Sequence, residues 1–421
     1  MKKAASSLAV LLIAFCTGAA QARAAQSHSG KATQLTNLAP PALPVTGAGL
    51  MLAGASTPLW AHNGEARLPI ASTTKMMTAL VVLQHVKNLD TVFSQNDWRA
   101  EPVDSQIGLI PGERMTVHDL LVALLLPSAD DAAEDLAYNV GHRSVARFVA
   151  MMNADARLLG LDHTHYSTPS GLDTPGNYSS PDDLLRLADY MMRNWPFFRH
   201  TVRLASATLT SGSYVRHVVN TDDLVGKVPW MLGVKTGHTG EAGYVLVSEG
   251  HRHSFTLLAA VLGTDSEEQR DESALALLDW GFSEYRVVAP VRRGERVARR
   301  RVPYEVAPAL IVAARGDRAI VARTTRVRVV VGKLRALREP MAKGTVLGQL
   351  RVEIPGRRTV RIPLILARRL PAVPELTKLE HFIKQPFTLL VLALLLVSVA
   401  AALVARRRRT PVVSLRRVEE R

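Results

Sequence analysis

Cysteine is nearly absent: the 421-residue chain has one, Cys16. A single thiol excludes an internal disulfide and any multi-cysteine metal site. Cys16 follows an apolar run, Leu8 to Phe15, that is preceded by Met1-Lys2-Lys3. That pattern predicts a secretory signal peptide over residues 1–24, with Ala20-Gln21-Ala22 and Ala22-Arg23-Ala24 both fitting the small-residue cleavage rule. Phe15 argues against a lipoprotein site, so the mature chain is expected to carry no thiol. There is no internal repeat and no Gly-rich phosphate loop. His163-Thr164-His165 and His251-Arg252-His253 have no carboxylate at a ligand spacing, so they read as loop histidines. No metal and no cofactor are expected.

What is present is a set of three short strings, in order on one segment. Ser72-Thr73-Thr74-Lys75 precedes an apolar stretch whose Met76, Leu80 and Leu83 share a helical face. Ser72 and Lys75, three apart, then lie on one side, with Ser72 where backbone N–H groups favour negative charge. Ser128-Ala129-Asp130 follows a second predicted helix, opened by a Thr116/Asp119 capping box and ended by Pro127. A third helix is predicted from about Asp131 to Val140, with Gly141 at its C-cap, so Ser128 occupies a turn between helices. Lys235-Thr236-Gly237 is read as the end of a strand in an antiparallel meander running to Leu262. It would leave an edge able to hydrogen-bond an extended peptide.

Each string alone has a bland reading: a helix start with a solvated lysine, an N-cap serine, a strand entering a turn. Together, a serine, two lysines and a second serine supply a nucleophile, a base and a proton path. They match the S-x-x-K, S-D-N and K-T-G signature of penicillin-binding proteins, with Asp130 standing where the signature has Asn. With Pro169-Ser170-Gly171-Leu172, Asn220-Thr221-Asp222 and Ala242-Gly243-Tyr244, the stretch from about Gly47 to Phe282 resembles the low-molecular-mass penicillin-binding proteins that are serine-type D-alanyl-D-alanine carboxypeptidases.

That resemblance implies an α+β fold of the β-lactamase/transpeptidase kind, an antiparallel sheet with a helical cluster and the serine between them. It implies that Ser72 attacks the terminal D-Ala-D-Ala bond of a peptidoglycan stem peptide and that β-lactam antibiotics acylate it. Lys75 would be the general base, and Ser128 would relay the proton to the departing amine. Ser72 and His238 would provide backbone N–H groups to the oxyanion. Lys235, Thr236 and Gly237 would bind the substrate, and Arg270 is a further candidate for its carboxylate. An Asp offers acceptors only, whereas Asn also donates. Asp130 beside Lys75 would favour the charged lysine and repel an anionic substrate, unless Lys235 offsets it or it points at backbone. A β-lactamase, a DD-endopeptidase and a weakly active penicillin-binding scaffold are the alternatives. No Glu-x-x-x-Asn string supports the first.

Charge is uneven. Residues 1–283 carry net −6, residues 284–370 net +16, and the remainder net +5. The middle segment alternates Val or Ile with Arg and has turns at Gly294, Gly332, Gly344 and Gly348, which predicts a small β-domain over 284–370. Gly344-Thr345-Val346-Leu347-Gly348 resembles part of the C-terminal β-domain of the same carboxypeptidases. In an exported protein such charge suits anionic lipid headgroups, or simply a solvated face, better than nucleic acid, and no nucleic-acid partner is expected. Residues 25–46, with Pro40, Pro41 and Pro44, read as a leader tail, and residues 371–385 as a proline-bearing linker. Residues 386–405 are an uncharged apolar run, long enough for a ~30 Å hydrocarbon core, followed by Arg406-Arg407-Arg408-Arg409. This predicts a single-pass span of the inner membrane with residues 406–421 cytoplasmic and the catalytic domain, residues 47–283, facing the periplasm or cell exterior.

Overall fold

Strand β1 (Gly47–Leu52) and β2 (Trp60–His62) precede a 3-10 turn at Ala71–Thr74, which opens α1 (Lys75–His85). The chain of the computed structural model is described over residues 39–408, apart from Pro102, Tyr304 and Val306. The expected signal peptide with Cys16, leader residues 25–38 and residues 409–421 lie outside the described residues. A hairpin, β3 (Val92–Ser94) with β4 (Arg114–Thr116), leads into α2 (Val117–Leu125), α3 (Asp130–Val140), α4 (Val145–Leu158), α5 (Pro181–Asn194) and α6 (Pro196–Thr201). A second hairpin, β5 (Ser206–Leu209) with β6 (Arg216–Val219), and the short turn α7 (Leu224–Lys227) follow. The meander is β7 (Met231–Thr239), β8 (Gly243–Arg252) and β9 (Phe255–Thr264), and α8 (Glu267–Glu284) closes the unit.

The main sheet has the order β2-β1-β9-β8-β7, antiparallel throughout, so β7 is an edge. Alternation along β9 decides what it separates. Leu258, Ala260 and Leu262 join the core of α1, α2, α3 and α5, while Leu257, Ala259 and Val261 join Leu277, Leu278 and Phe282 of α8. Covered on both faces, β8 and β9 read as near-continuous apolar runs.

The structure alters three local readings. Ser72 sits in the 3-10 turn rather than in the first α-helical turn, because Thr73 N–H and its Oγ1 both donate back to Ile70 O. Lys235-Thr236-Gly237 does not end its strand: pairing continues to Thr239 opposite Gly243. The capping box is half made. Asp119 N–H donates to Thr116 Oγ1, but the Asp119 carboxylate accepts from Thr210 N–H, Ser211 N–H and Ser211 Oγ.

Beyond α8, β10 (Tyr285–Val291) pairs with β13 (Asp317–Ala322). A second five-stranded antiparallel sheet has the order β11 (Arg296–Arg300), β12 (Ala309–Ala313), β16 (Val360–Leu366), β15 (Val346–Glu353), β14 (Arg328–Val331). It has its own core, in which Ile311, Leu350, Val352, Ile362 and Leu364 are buried. Helices α9 (Glu375–Ile383) and α10 (Pro386–Arg408) follow. In α10, Pro386–Arg406 is long and apolar enough to cross a membrane and is almost wholly unburied.

Candidate active site

Two backbone positions rarely used by side-chain-bearing residues bracket the site. Ala71 has φ +47° and Ser128 has φ +62°, and such strain persists only where the surroundings over-determine it. At Ala71, Gly171 passes so close that a Cβ there would meet Ala71 O at 2.0 Å. Gly237 likewise brings β7 against the serine turn: a Cβ would stand 3.0 Å from Ser72 N. The motif glycine therefore permits the sheet edge to approach the backbone of Ser72.

From this frame the polar side chains converge. Lys75, fully buried at the head of α1, donates from Nζ to Ser72 Oγ at 2.7 Å, to Asp130 Oδ1 at 2.6 Å and to Ser170 O at 2.9 Å. Lys235 donates from Nζ to Ser128 Oγ at 2.9 Å and to Thr236 O at 3.1 Å. Thr236 Oγ1 and Thr221 Oγ1 are 2.6 Å apart. The His238 ring stacks on Tyr244 with centroids 4.1 Å apart. Ser72, Ser128, Asp130, Thr236, Gly237, His238 and Arg270 line one cleft of about 260 Å³. Every sequence-predicted site residue but the two lysines lines the cleft, and the lysines stand directly behind it.

Electrostatics follows from burial. Removal from water pushes the Asp130 carboxyl above its usual range, while the Lys75 ammonium pulls it down. Burial likewise pushes Lys235 well below its ordinary value, and the charge of Lys75 acts in the same direction. Glu134, one helical turn from Asp130, is raised to about 7, mainly by burial. Asp222 is raised to about 6 by burial, with Asp271 adding to the effect.

Asp130 points at Lys75, not at backbone, and its own N–H donates to Ser105 O. Arg270 reaches the cleft but its guanidinium is already engaged by Glu267 Oε1 and Asp271 Oδ1, each at 2.8 Å. Sequence reasoning gave no role to Ser170, Glu134, Thr221 or the Val103–Ser105 loop. Ser170 and Thr221 stood in the quoted family strings. Glu134 is signalled by its position four after Asp130 on α3, which places both on one helical face.

A family model described as D-alanyl-D-alanine carboxypeptidase matches residues 47–266. This chain belongs to the D-alanyl-D-alanine carboxypeptidase family, peptidase S11. The carboxypeptidase of Streptomyces sp. strain K15 is 35% identical over 268 residues, 60% of this chain and 92% of that one. Carboxypeptidase DacA of Escherichia coli K12 is 28% identical over 340 residues, 77% of this chain and 83% of that one. The crystal structure of penicillin binding protein 5 from Haemophilus influenzae matches at TM-score 0.59 and 26% identity, over 79% of this chain and 99% of its own. As a D-alanyl-D-alanine carboxypeptidase, the chain is a serine peptidase with the α+β fold expected from its motifs, and the match to that structure extends past α8 into the second sheet.

Proposed function

We propose that Ser72 is the nucleophile that removes the terminal D-alanine from peptidoglycan stem peptides. The observation that carries this is the 2.7 Å hydrogen bond from Lys75 Nζ to Ser72 Oγ at the floor of the cleft. Ser72 Oγ attacks the carbonyl carbon of the D-Ala-D-Ala bond and its proton passes to Lys75, the general base. The Ser72 and His238 N–H groups receive the oxyanion. Collapse breaks the C–N bond, and the proton taken up by Lys75 is relayed through the Ser128 hydroxyl to the departing amine of D-alanine, restoring both groups. Water then hydrolyses the acyl-enzyme, freeing the shortened peptide and Ser72. Penicillins acylate the same oxygen.

Lys235, Thr236 and Gly237 hold the substrate. The edge strand β7 offers free backbone groups to an extended peptide, and the arriving carboxylate favours a charged Lys235 that burial otherwise disfavours. The chain divides into a catalytic domain (47–283), a small β-domain (284–370), a linker (371–385) and a single span (386–405). It sits in the inner membrane with the active site facing the periplasm or cell exterior. The decisive experiment is mass spectrometry of the protein with a D-Ala-D-Ala pentapeptide. Loss of one D-alanine, with an acyl adduct on the Ser72 peptide, is expected. Turnover without an adduct at Ser72 would overturn the assignment.

A further inference from the structure

Six basic residues lie along one end of the five-stranded β-sheet within residues 284–370. Register places Arg300 opposite Ala309, Ala367 N–H donates to Leu310 O, and Met341 bridges to Leu370. The end of β11, the start of β12, the segment around 338–345 and the exit of β16 therefore share one rim. It carries Arg299, Arg300, Arg301, Arg338, Lys343 and Arg369, all exposed. Ion pairs of this segment among the described residues are Arg351–Glu353, Arg357–Asp317 and Arg368–Glu305, and none involves these six. Two acids lie at the rim: Glu305 is already held by Arg368 at 3.1 Å, and the half-buried Glu339 follows Arg338, so six cations face two carboxylates there.

The rim is also where the chain leaves for the membrane-length helix. Helix α9 begins at Glu375, five residues past Leu370, and exposes Leu376, Leu379, Phe382 and Ile383, at i, i+3, i+6 and i+7, on one face. With Phe387 and Val391 of α10, Leu379, Phe382 and Ile383 line a crevice. An exposed apolar stripe running into a span suits the headgroup–acyl boundary. The five steps from Leu370 to Glu375 reach at most about 18 Å when extended. The rim's excess cations are thus tethered within about two Debye lengths of α9, whose apolar stripe leads into α10, close enough for lipid charge at a surface holding α9 to act on them.

We propose that this rim docks on the phosphate headgroups of an anionic bilayer, the one that α10 crosses, and so holds the second sheet against the membrane surface. The inference rests on α10 as the span. Alkaline carbonate extraction tests that separately, without reference to the rim. For the rim, the full chain with Cys16→Ser and Ala336→Cys, exposed near the rim, is labelled with a fluorophore. It is placed in nanodiscs whose lipids carry a headgroup quencher. Quenching is expected to be stronger in phosphatidylglycerol-containing discs than in pure phosphatidylcholine, and to relax at about 1 M salt, where the Debye length is ~3 Å.

The Arg299→Gln/Arg300→Gln/Arg301→Gln/Lys343→Gln variant should lose the lipid difference while keeping full penicillin labelling. Equal quenching in both lipids at low salt overturns the proposal. A response to soluble polyphosphate in phosphatidylcholine discs, with no dependence on lipid charge, also overturns it in favour of a polyanionic polymer. If the quadruple variant loses labelling, single Arg300→Gln and Lys343→Gln variants decide: a graded loss of the lipid difference supports docking, and none refutes it.

Discussion

Lys75 Nζ lies 2.6 Å from Asp130 Oδ1, a buried ion pair at the position where the family signature has an amide. In the proposed mechanism attack by Ser72 would pass a proton to Lys75, and the Asp130 carboxylate adds negative charge beside that transfer and in the path of an anionic substrate. Asp130→Asn keeps an acceptor for Nζ, removes one negative charge and preserves shape. It should raise kcat/KM on a D-Ala-D-Ala peptide about tenfold, for an electrostatic effect of roughly 1.4 kcal/mol. An unchanged or slower variant would show that the carboxylate has a catalytic part of its own.

Ser72→Ala should abolish labelling by a fluorescent penicillin. The substitution deletes one oxygen in the 3-10 turn, and Lys75 keeps Asp130 and Ser170 O as acceptors, so thermal stability should hardly move. Equal labelling of the variant would remove Ser72 from the mechanism.

Thr221→Val should lower kcat/KM several-fold, mainly through KM. The hydroxyl pair Thr221–Thr236 at 2.6 Å orients the strand side chain assigned to the substrate carboxylate. Loss of one neutral hydrogen bond is worth about 1 kcal/mol. Steady-state kinetics that show kcat falling with KM constant would contradict this positioning role.

Stability should fall as pH rises from about 4 towards 7. Burial raises Glu134 and Asp135 to about 7 and Asp222 to about 6, each above its ordinary carboxyl value. The folded state therefore binds more protons than the unfolded one between about pH 4 and pH 7, and the stability linked to these groups is lost through that window. Tm should drop from about pH 5 to about pH 8, and less in Glu134→Gln, whose amide needs no proton. Identical profiles for the two proteins, measured by scanning calorimetry, would show that Glu134 does not titrate there.

The full chain should stay in the membrane fraction after carbonate washing, and truncation before Pro386 should release a penicillin-labelled protein. Pro386–Arg406 of α10 is long and apolar enough to cross a membrane, and a spanning helix is expected to resist salt extraction. Release of the full chain by 1 M salt would make α10 a peripheral helix.

Much was legible without coordinates because it is local. The helical spacing of Met76, Leu80 and Leu83, the turn at Pro127 and Ser128, and the strand patterning through Val247 and Leu262 each depend on neighbours in sequence. The three strings carried the proposed nucleophile and both lysines for the same reason: Ser72 and Lys75, three apart, share a turn. What only tertiary structure decided were the meetings between distant segments. That Asp130 turns to Lys75 rather than to backbone depends on α3 packing against α1. That Ser170 O becomes a lysine acceptor depends on Gly171 passing within contact of Ala71. That Thr221 meets Thr236, 15 residues on, depends on how the turn before β7 packs, and that six cations between Arg299 and Arg369 share one rim depends on strand order and register.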